Sequence, residues 1–556
     1  MLLLVLIMVG SIMMAIPSFI SATDISRSII YDVPPEIMEK QFGEIPGFQL
    51  TLQDSMAIAQ YRFNGDTLKL LVILLEWTNR PGIYSKETFD SLLFSRNVFP
   101  GGSLADYFNE VSYGQLHITG KVLDWYNAGT YYSNYSFRSL FPKLDSIIDY
   151  SQFDENNDGN VDAITVIRSG NGQEDSYDEN DIWSFASNFS PGFEIGPLDG
   201  VYITCYNTCP ETRPLHDPLF PPAFTGEDTL NSITTFCHEL AHNIGLPDLY
   251  DYDSRFDTTA CYTPNDDNDH PLSDWCLMGD QGGLLSFRAF TPSHLCGWSK
   301  NQMGWIDPII LPKGFYDQVV IYNIETTKDS SLYMIPIIPA EDEYFLLEYR
   351  NPRSGGMFDK FDSDYSRYFW PYLSFGGDSL DRGLLITHVH DYCLSNKGTP
   401  TYPHYRIAVE DAGYNPAKDT SYNPEGHVTD SAQWWYPYET RKAATFSSEV
   451  SGQELFGPAT TPNSDGYSGP SGITVRVDSI IDDKLYAYVF VPMRGDANGD
   501  KKLSVSDVIY LINYLFKGGP PPVESLVGDV NCDGMVNVSD VAYLINYLFK
   551  GGPLPC

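Results

Sequence analysis

The sequence predicts a multidomain protein: an α/β or α+β domain over residues 67–312, an all-β sandwich-like domain over 313–493, and a small α-helical domain over 494–556. Three observations carry this prediction. The chain has 556 residues, too many for one hydrophobic core to organise. Its texture changes near residue 312, from long apolar runs interleaved with helical periodicity to short alternating runs bounded by Gly, Pro, Asn and Asp. The last segment repeats itself, since GDANGDKKLSVSDVIYLINYLFKGGP returns as GDVNCDGMVNVSDVAYLINYLFKGGP 33 residues later, Asp496 recurring as Asp529.

The elements follow in order. Residues 1–22 are apolar over about the length of a secretory h-region and end in small residues, which predicts a signal peptide despite the missing basic start. An uncleaved membrane anchor is the other reading. Residues 23–66, punctuated by Pro and Gly, are expected to be a pro-segment or an N-terminal arm. The continuous apolar run Leu68–Trp77 suits a buried strand, and Ser103–Gly114 reads as an N-capped helix closed by glycine. LHITGKVLDWY alternates like a strand, and Ala163–Gly170 is a second buried-strand candidate. Asn231 or Ser232 can cap a helix that Gly245 stops. QVVIYNIE, EYFLLEYR, GLLITHVHD and KLYAYVFVP then supply the alternating strands of the sandwich.

Composition narrows the function class. The formal net charge is −39, from 73 acidic against 34 basic residues, so no basic surface is available to neutralise nucleic-acid phosphates or anionic lipid. A hydrophobic content of 42% is ample for folded domains. After the leader, no segment has the about 18 uninterrupted apolar residues of a membrane span. All nine cysteines lie at or after Cys205; in an exported chain some are expected to pair, though an odd number cannot all do so.

One stretch carries chemistry. In TTFCHELAHNIGLPDLYD, residues 234–251, His238 and His242 are four apart and share one helix face. Two imidazoles so placed can ligate one zinc ion, while Glu239, turned by about 100° around the helix, stands beside the metal as a proton acceptor for a water. Gly245 and Pro247 force the chain to turn, and Asp248 can swing back as the third protein ligand. Its competitors are a more distant acid, or a plain role for Asp248 in the acidic loop 248–257. Met278, in DWCLMGDQGG, is a candidate apolar floor beneath the histidines. His388, His390, His404 and His427 are assigned to no metal.

Three loops have the spacing of calcium ligands. Asp154, Asn156, Asp158 and Asp162 stand at positions 1, 3, 5 and 9, with Gly159 at the turn and the carbonyl of Asn160 at position 7. Thr165 occupies position 12, where an acid is usual, so the loop is either a partial calcium site or an acidic turn. In the repeat the pattern is fuller. Asp496, Asn498, Asp500, Lys502 (carbonyl), Ser504 and Asp507 take positions 1, 3, 5, 7, 9 and 12, and Asp529, Asn531, Asp533, Met535 (carbonyl), Asn537 and Asp540 match them. Position 6 is Gly534 in the second loop and Lys501 in the first, which is expected to make the first strained or weaker.

HELAHNIGLPDLYD, DWCLMGDQGG and PSHLCGWSKNQMGW, with LKLLVILLEWTNRPG and the motifs that follow it, resemble the immune inhibitor A-like family of secreted bacterial metallopeptidases over about residues 67–410. The resemblance implies an endopeptidase with one zinc on His238 and His242, a catalytic Glu239, and a carboxylate ligand at the position of Asp248. The chain departs from the family at Phe185 and at Arg168-Ser169-Gly170, where histidines are common, which weakens inference about substrate contacts. No tyrosine matches a transition-state role. The C-terminal repeat resembles type I dockerin domains, which implies two calcium ions and a cohesin-like partner on a scaffold or cell surface. Val505, Ser506, Val538 and Ser539 sit where such modules touch their partners, or serve only as helix caps. The resulting expectation is a secreted, tethered zinc endopeptidase acting on protein or peptide. Its rival is a calcium-dependent adhesion or scaffold component with a structural or vestigial zinc site.

Overall fold

The computed structural model describes residues 28–30, 65–98, 102–189, 191–216, 224–250, 272, 275–279, 292–337, 342–351, 358, 382–391, 405–410, 412, 445–449, 452–467, 470–500, 502–522 and 525–555. The predicted leader, most of residues 23–66, His404, His427 and Lys501 lie outside them. The chain packs as two units, the first formed by residues 1–94, 118–231 and 239–245 and the second by the rest.

The first unit holds a mixed eight-stranded sheet. Its strands are β1 (Ser28–Ile30), β2 (Thr67–Glu76), β3 (His117–Val122), β4 (Tyr126–Asn127), β5 (Ala163–Asn171) and β6 (Phe185–Phe189). After a separate hairpin of β7 (Ile195–Leu198) and β8 (Val201–Ile203) come β9 (Cys205–His216) and β10 (Phe224–Leu230). The order is β1-β6-β9-β5-β2-β3, with β4 beside β2 and β10 beside β9. At the centre β2, β5 and β9 run parallel, whereas β6 and β10 pair with β9 antiparallel. Parallel central strands must be covered on both faces, which is why β2 is apolar without alternation. Its residues Leu70, Leu71, Val72, Ile73, Leu74 and Leu75 are all buried. Leu71, Ile73, Val166, Phe185 and Tyr206 belong to one core, with Trp77 meeting Tyr135 edge to face at 5.9 Å.

Helix α1 (Lys86–Phe94) buries Phe89, Leu92 and Leu93. Helix α2 (Leu104–Val111) starts where the sequence places it. Ser103 accepts from the Asp106 amide, Asp106 accepts in return from the Ser103 amide, and Gly114 (φ 73°) follows its end. Helix α3 (Ile233–Asn243) carries the histidine pair, and Gly245 at φ 116° allows the turn after it.

In the second unit a short helix, α4 (Gly297–Gln302), meets β14 (Glu343–Arg350), where the Gly297 amide donates to Glu348. A side chain at Gly297 would put its Cβ 2.4 Å from Glu348 Oε2 and 2.5 Å from Leu332 Cδ1, so both neighbours would have to shift to admit one. Two sheets follow. One is β11 (Ile309–Ile310), β13 (Leu332–Pro336), β14, β15 (Gly383–His390) and β16 (Ile407–Val409), paired in that order. The other runs β12 (Gly314–Tyr322), β19 (Lys484–Val491), β18 (Thr474–Ile481), β17 (Leu455–Phe456). Ile335, Phe345 and Ile386 from the first share a core with Ile321, Val475 and Val489 from the second, a sandwich held by the inward residues of each strand.

The C-terminal repeat folds into two equal helices, α5 (Val505–Lys517) and α6 (Val538–Lys550), each opened by a capping box and closed by a left-handed glycine, Gly518 and Gly551. Their shared core is small: Ala497, Val508, Leu511, Val530, Val541 and Leu544. So little apolar burial gives such a module a marginal stability of its own.

Candidate metal centres

Helix α3 buries Phe236, Cys237, Leu240 and Ala241, and this fixes the rotation of the helix and hence of its polar residues. His238, His242 and Asp248 each bring one ligand atom to within 4.8 Å of the others. His242 is fully buried, and Asp248 and Glu239 are buried nearly so.

The orientation of His238 says what this cluster accepts. Its Nδ1 lies 2.9 Å from the carbonyl oxygen of Leu277, and its Nε2 lies 3.3 Å from Asp248 Oδ1. A carbonyl oxygen only accepts, so Nδ1 carries the proton and donates. In the neutral ring Nε2 is then a lone pair aimed at a carboxylate, two acceptors face to face. A cation between them, or a second proton on the ring, resolves that conflict. Locking the distal ring nitrogen onto a backbone carbonyl is also how metal-ligating histidines are held. The donor set of two imidazoles and a carboxylate thus fits zinc.

Sequence reasoning missed what holds this arrangement. Asn188 on β6 donates to the His242 carbonyl at 3.0 Å. Asn207 on β9 donates to Asn243 Oδ1 at 2.8 Å, and Asn243 donates back to Asn188 Oδ1 at 2.9 Å and to the Tyr206 carbonyl at 3.2 Å. Three buried asparagines satisfy one another and pin the last turn of α3, adding a second donor to the His242 carbonyl, which also accepts from the Gly245 amide at 3.1 Å. A polar residue every few positions on two separate strands gives no pattern a sequence could display. Met278 is fully buried, and its backbone carries its visible contact, accepting from the Leu249 amide at 2.8 Å.

The calcium-like loops share one internal scaffold. The amide of Asp500 donates to Asp496 (3.0 Å) and Asn498 (2.8 Å), and that of Lys502 to Asp500 (3.0 Å). Asp533 and Met535 repeat this with Asp529, Asn531 and Asp533, and Asp158 and Asn160 with Asp154, Asn156 and Asp158. Position 12 closes both loops of the repeat. Asp507 accepts from the Asn498 amide at 3.3 Å, Asp540 from that of Asn531 at 3.2 Å, and both are fully buried. Burial pushes the Asp507 carboxyl up. In the upstream loop Asp162 takes this place, accepting from the amides of Glu155 (3.3 Å) and Lys69 (2.8 Å), and burial pushes it up to about 7. Thr165 is part of β5 and buried.

Asp496, Asp500 and Asp507 form the second cluster of potential ligand atoms among the described residues. Ser504 and Asn537 act as N-caps, bonding the amides of Ser506 and Ser539 at 3.2 and 2.8 Å. The hydroxyls of Ser506 and Ser539 are engaged with Asp500 and Asp533, both at 3.3 Å. Val505 and Val538 stay exposed, with Ile509, Phe516 and Phe549 on the same helices.

Elsewhere, His388 is sandwiched between Glu343 (2.8 Å) and Glu410 (3.3 Å) and stacked on Tyr467, a buried polar cluster inside the sandwich. Cys532 is disulfide-bonded. No described helix is long and apolar enough to cross a membrane. No curated protein matches the chain. Residues 494–549 match the model of the dockerin type I domain, so the C-terminal module is of the dockerin kind, which implies calcium binding and a cohesin as partner.

Proposed function

We propose that the chain is an extracellular zinc-dependent endopeptidase of the immune inhibitor A-like kind, tethered by its dockerin to a cohesin-bearing protein. The observation that carries the reading is the pose of His238, fixed at Nδ1 by Leu277 and turned at Nε2 toward Asp248, with His242 one helical turn on. His238, His242 and Asp248 would hold the metal. Zinc, when bound, acidifies water and polarises a carbonyl. Glu239, adjacent to His238 and buried in an apolar helix, takes a proton from the attacking water and passes it to the leaving amine. The protein or peptide chain is the substrate. Loop 154–162 holds a further calcium through Asp154, Asn156, Asp158, the carbonyl of Asn160, and Asp162. The support for this is the hydrogen-bond frame it shares with the dockerin loops.

One observation favours a second reading. Glu239 is 2% exposed and His242 0%, the enclosure expected of a structural zinc in an adhesion or scaffold component. Hydrolysis of unfolded casein separates the two. The peptidase reading expects activity that a zinc chelator abolishes and that Glu239→Gln removes while zinc content is kept. Zinc bound tightly with no hydrolysis in the wild type selects the structural reading.

A further inference from the structure

Cys276 and Cys296 are the one pair of cysteines whose thiols meet among the described residues. The Cys296 amide donates to Cys276 Sγ at 3.4 Å, and both sulfurs reach the same hydroxyl, Ser299 Oγ, at 3.6 and 3.4 Å. Both side chains are buried and carry free thiols in this structure. The other described thiols turn elsewhere: Cys205 to the Asp162 carbonyl and Cys209 to Asn207, each at 3.8 Å, while Cys237 is buried in α3. The position matters. Cys276 directly precedes Leu277, whose carbonyl orients His238 and whose amide donates to the His294 carbonyl at 3.3 Å. Cys296 is the N-cap of α4.

We propose that Cys276 and Cys296 form a disulfide bond in the mature protein, stapling the segment 275–279 to the start of α4 and so fixing the carbonyl that orients His238. The chain already holds a disulfide at Cys532, so it folds where thiols are oxidised. The oxidant is a small-molecule disulfide such as oxidised glutathione. The Cys276 thiolate attacks one of its sulfurs, the small disulfide breaks, and one thiolate leaves. The Cys296 thiolate then attacks Cys276 Sγ in the mixed disulfide and releases the second thiolate. Two protein thiols are oxidised, one disulfide is reduced to two thiols, and the two protons end on them. With the folded pair 0% and 1% exposed, the exchange belongs to folding, and the finished bond is shielded from reductant.

The full chain, produced with oxidised glutathione present, is unfolded in denaturant with an alkylating agent and no reductant, then digested for mass spectrometry. A linked Cys276–Cys296 peptide supports the bond; alkylation of both cysteines overturns it. The orienting role rests on the proposed zinc site and is read separately. Zinc affinity of the full-chain double variant Cys276→Ser/Cys296→Ser, measured by competition with a chromogenic indicator, should be weaker by about tenfold or more. Unchanged affinity overturns the orienting role. A wild type that takes up no zinc sinks the zinc reading alone, because the linked peptide is scored without metal.

Discussion

The segment around α3 and the loops of the C-terminal module are built in opposite ways. Each dockerin loop collects its acids from twelve consecutive residues and orients them by hydrogen bonds to its own amides, so the site is local and partly exposed. The histidine cluster is short in sequence but is posed by distant groups, the carbonyl of Leu277 and the asparagines of β6 and β9. The first design makes the ion part of the fold, with only six buried aliphatic residues in its core. In the second, the fold would be the precondition for the proposed zinc.

Withdrawing calcium separates the two designs most directly. With a calcium-selective chelator, amide exchange in the full chain should lose protection throughout α5 and α6, while β2, β5 and β9 keep theirs. Retained protection in both helices would show that the small core suffices. Next in size, Glu239→Gln should lower casein hydrolysis by about 10²–10⁴-fold with zinc content unchanged, whereas activity near wild type would remove the glutamate from the chemistry. A smaller effect sharpens the contrast between remote and local support. Asn243→Ala, which touches no proposed ligand atom, should weaken zinc binding by about 10–100-fold and leave calcium binding untouched, as paired metal titrations would report. The mildest concerns the upstream loop. Asp162→Asn should remove its calcium response in titration without disturbing the two dockerin sites, and a response equal to wild type would leave residues 154–162 as an acidic turn.

How much the sequence disclosed follows the same division. The dockerin loops were readable because every ligand, cap and stop lies within one repeat, and Asp507 and Asp540 are at once ligand candidates and the third helical residues of the capping boxes. The continuous run of β2 and the cap at Ser103 were readable because burial on both faces and helix initiation leave local marks. His238 and His242 showed through their spacing. Asp162 was read as a ninth-position ligand in a loop lacking its twelfth, yet in space it supplies that closing acid, because the chain enters β5 early and brings the carboxylate back to the start of the loop. Leu277 and the asparagine cluster left no mark at all. A carbonyl has no residue identity, and Asn188, Asn207 and Asn243 meet only once the strand order is known.

That asparagine cluster also acts as a test of register. Side chains on a strand alternate between faces, so slipping β9 or β6 by one residue would turn Asn207 or Asn188 away from the helix. The last turn of α3 would then lose the Asn188 donor on the His242 carbonyl and a side-chain partner of Asn243. A misaligned sheet would therefore present a misplaced histidine, and a metal that needs all three ligands would select against it. The helix proofreads the sheet beneath it: metal retention would report whether the strands of the first unit are paired in their native alignment.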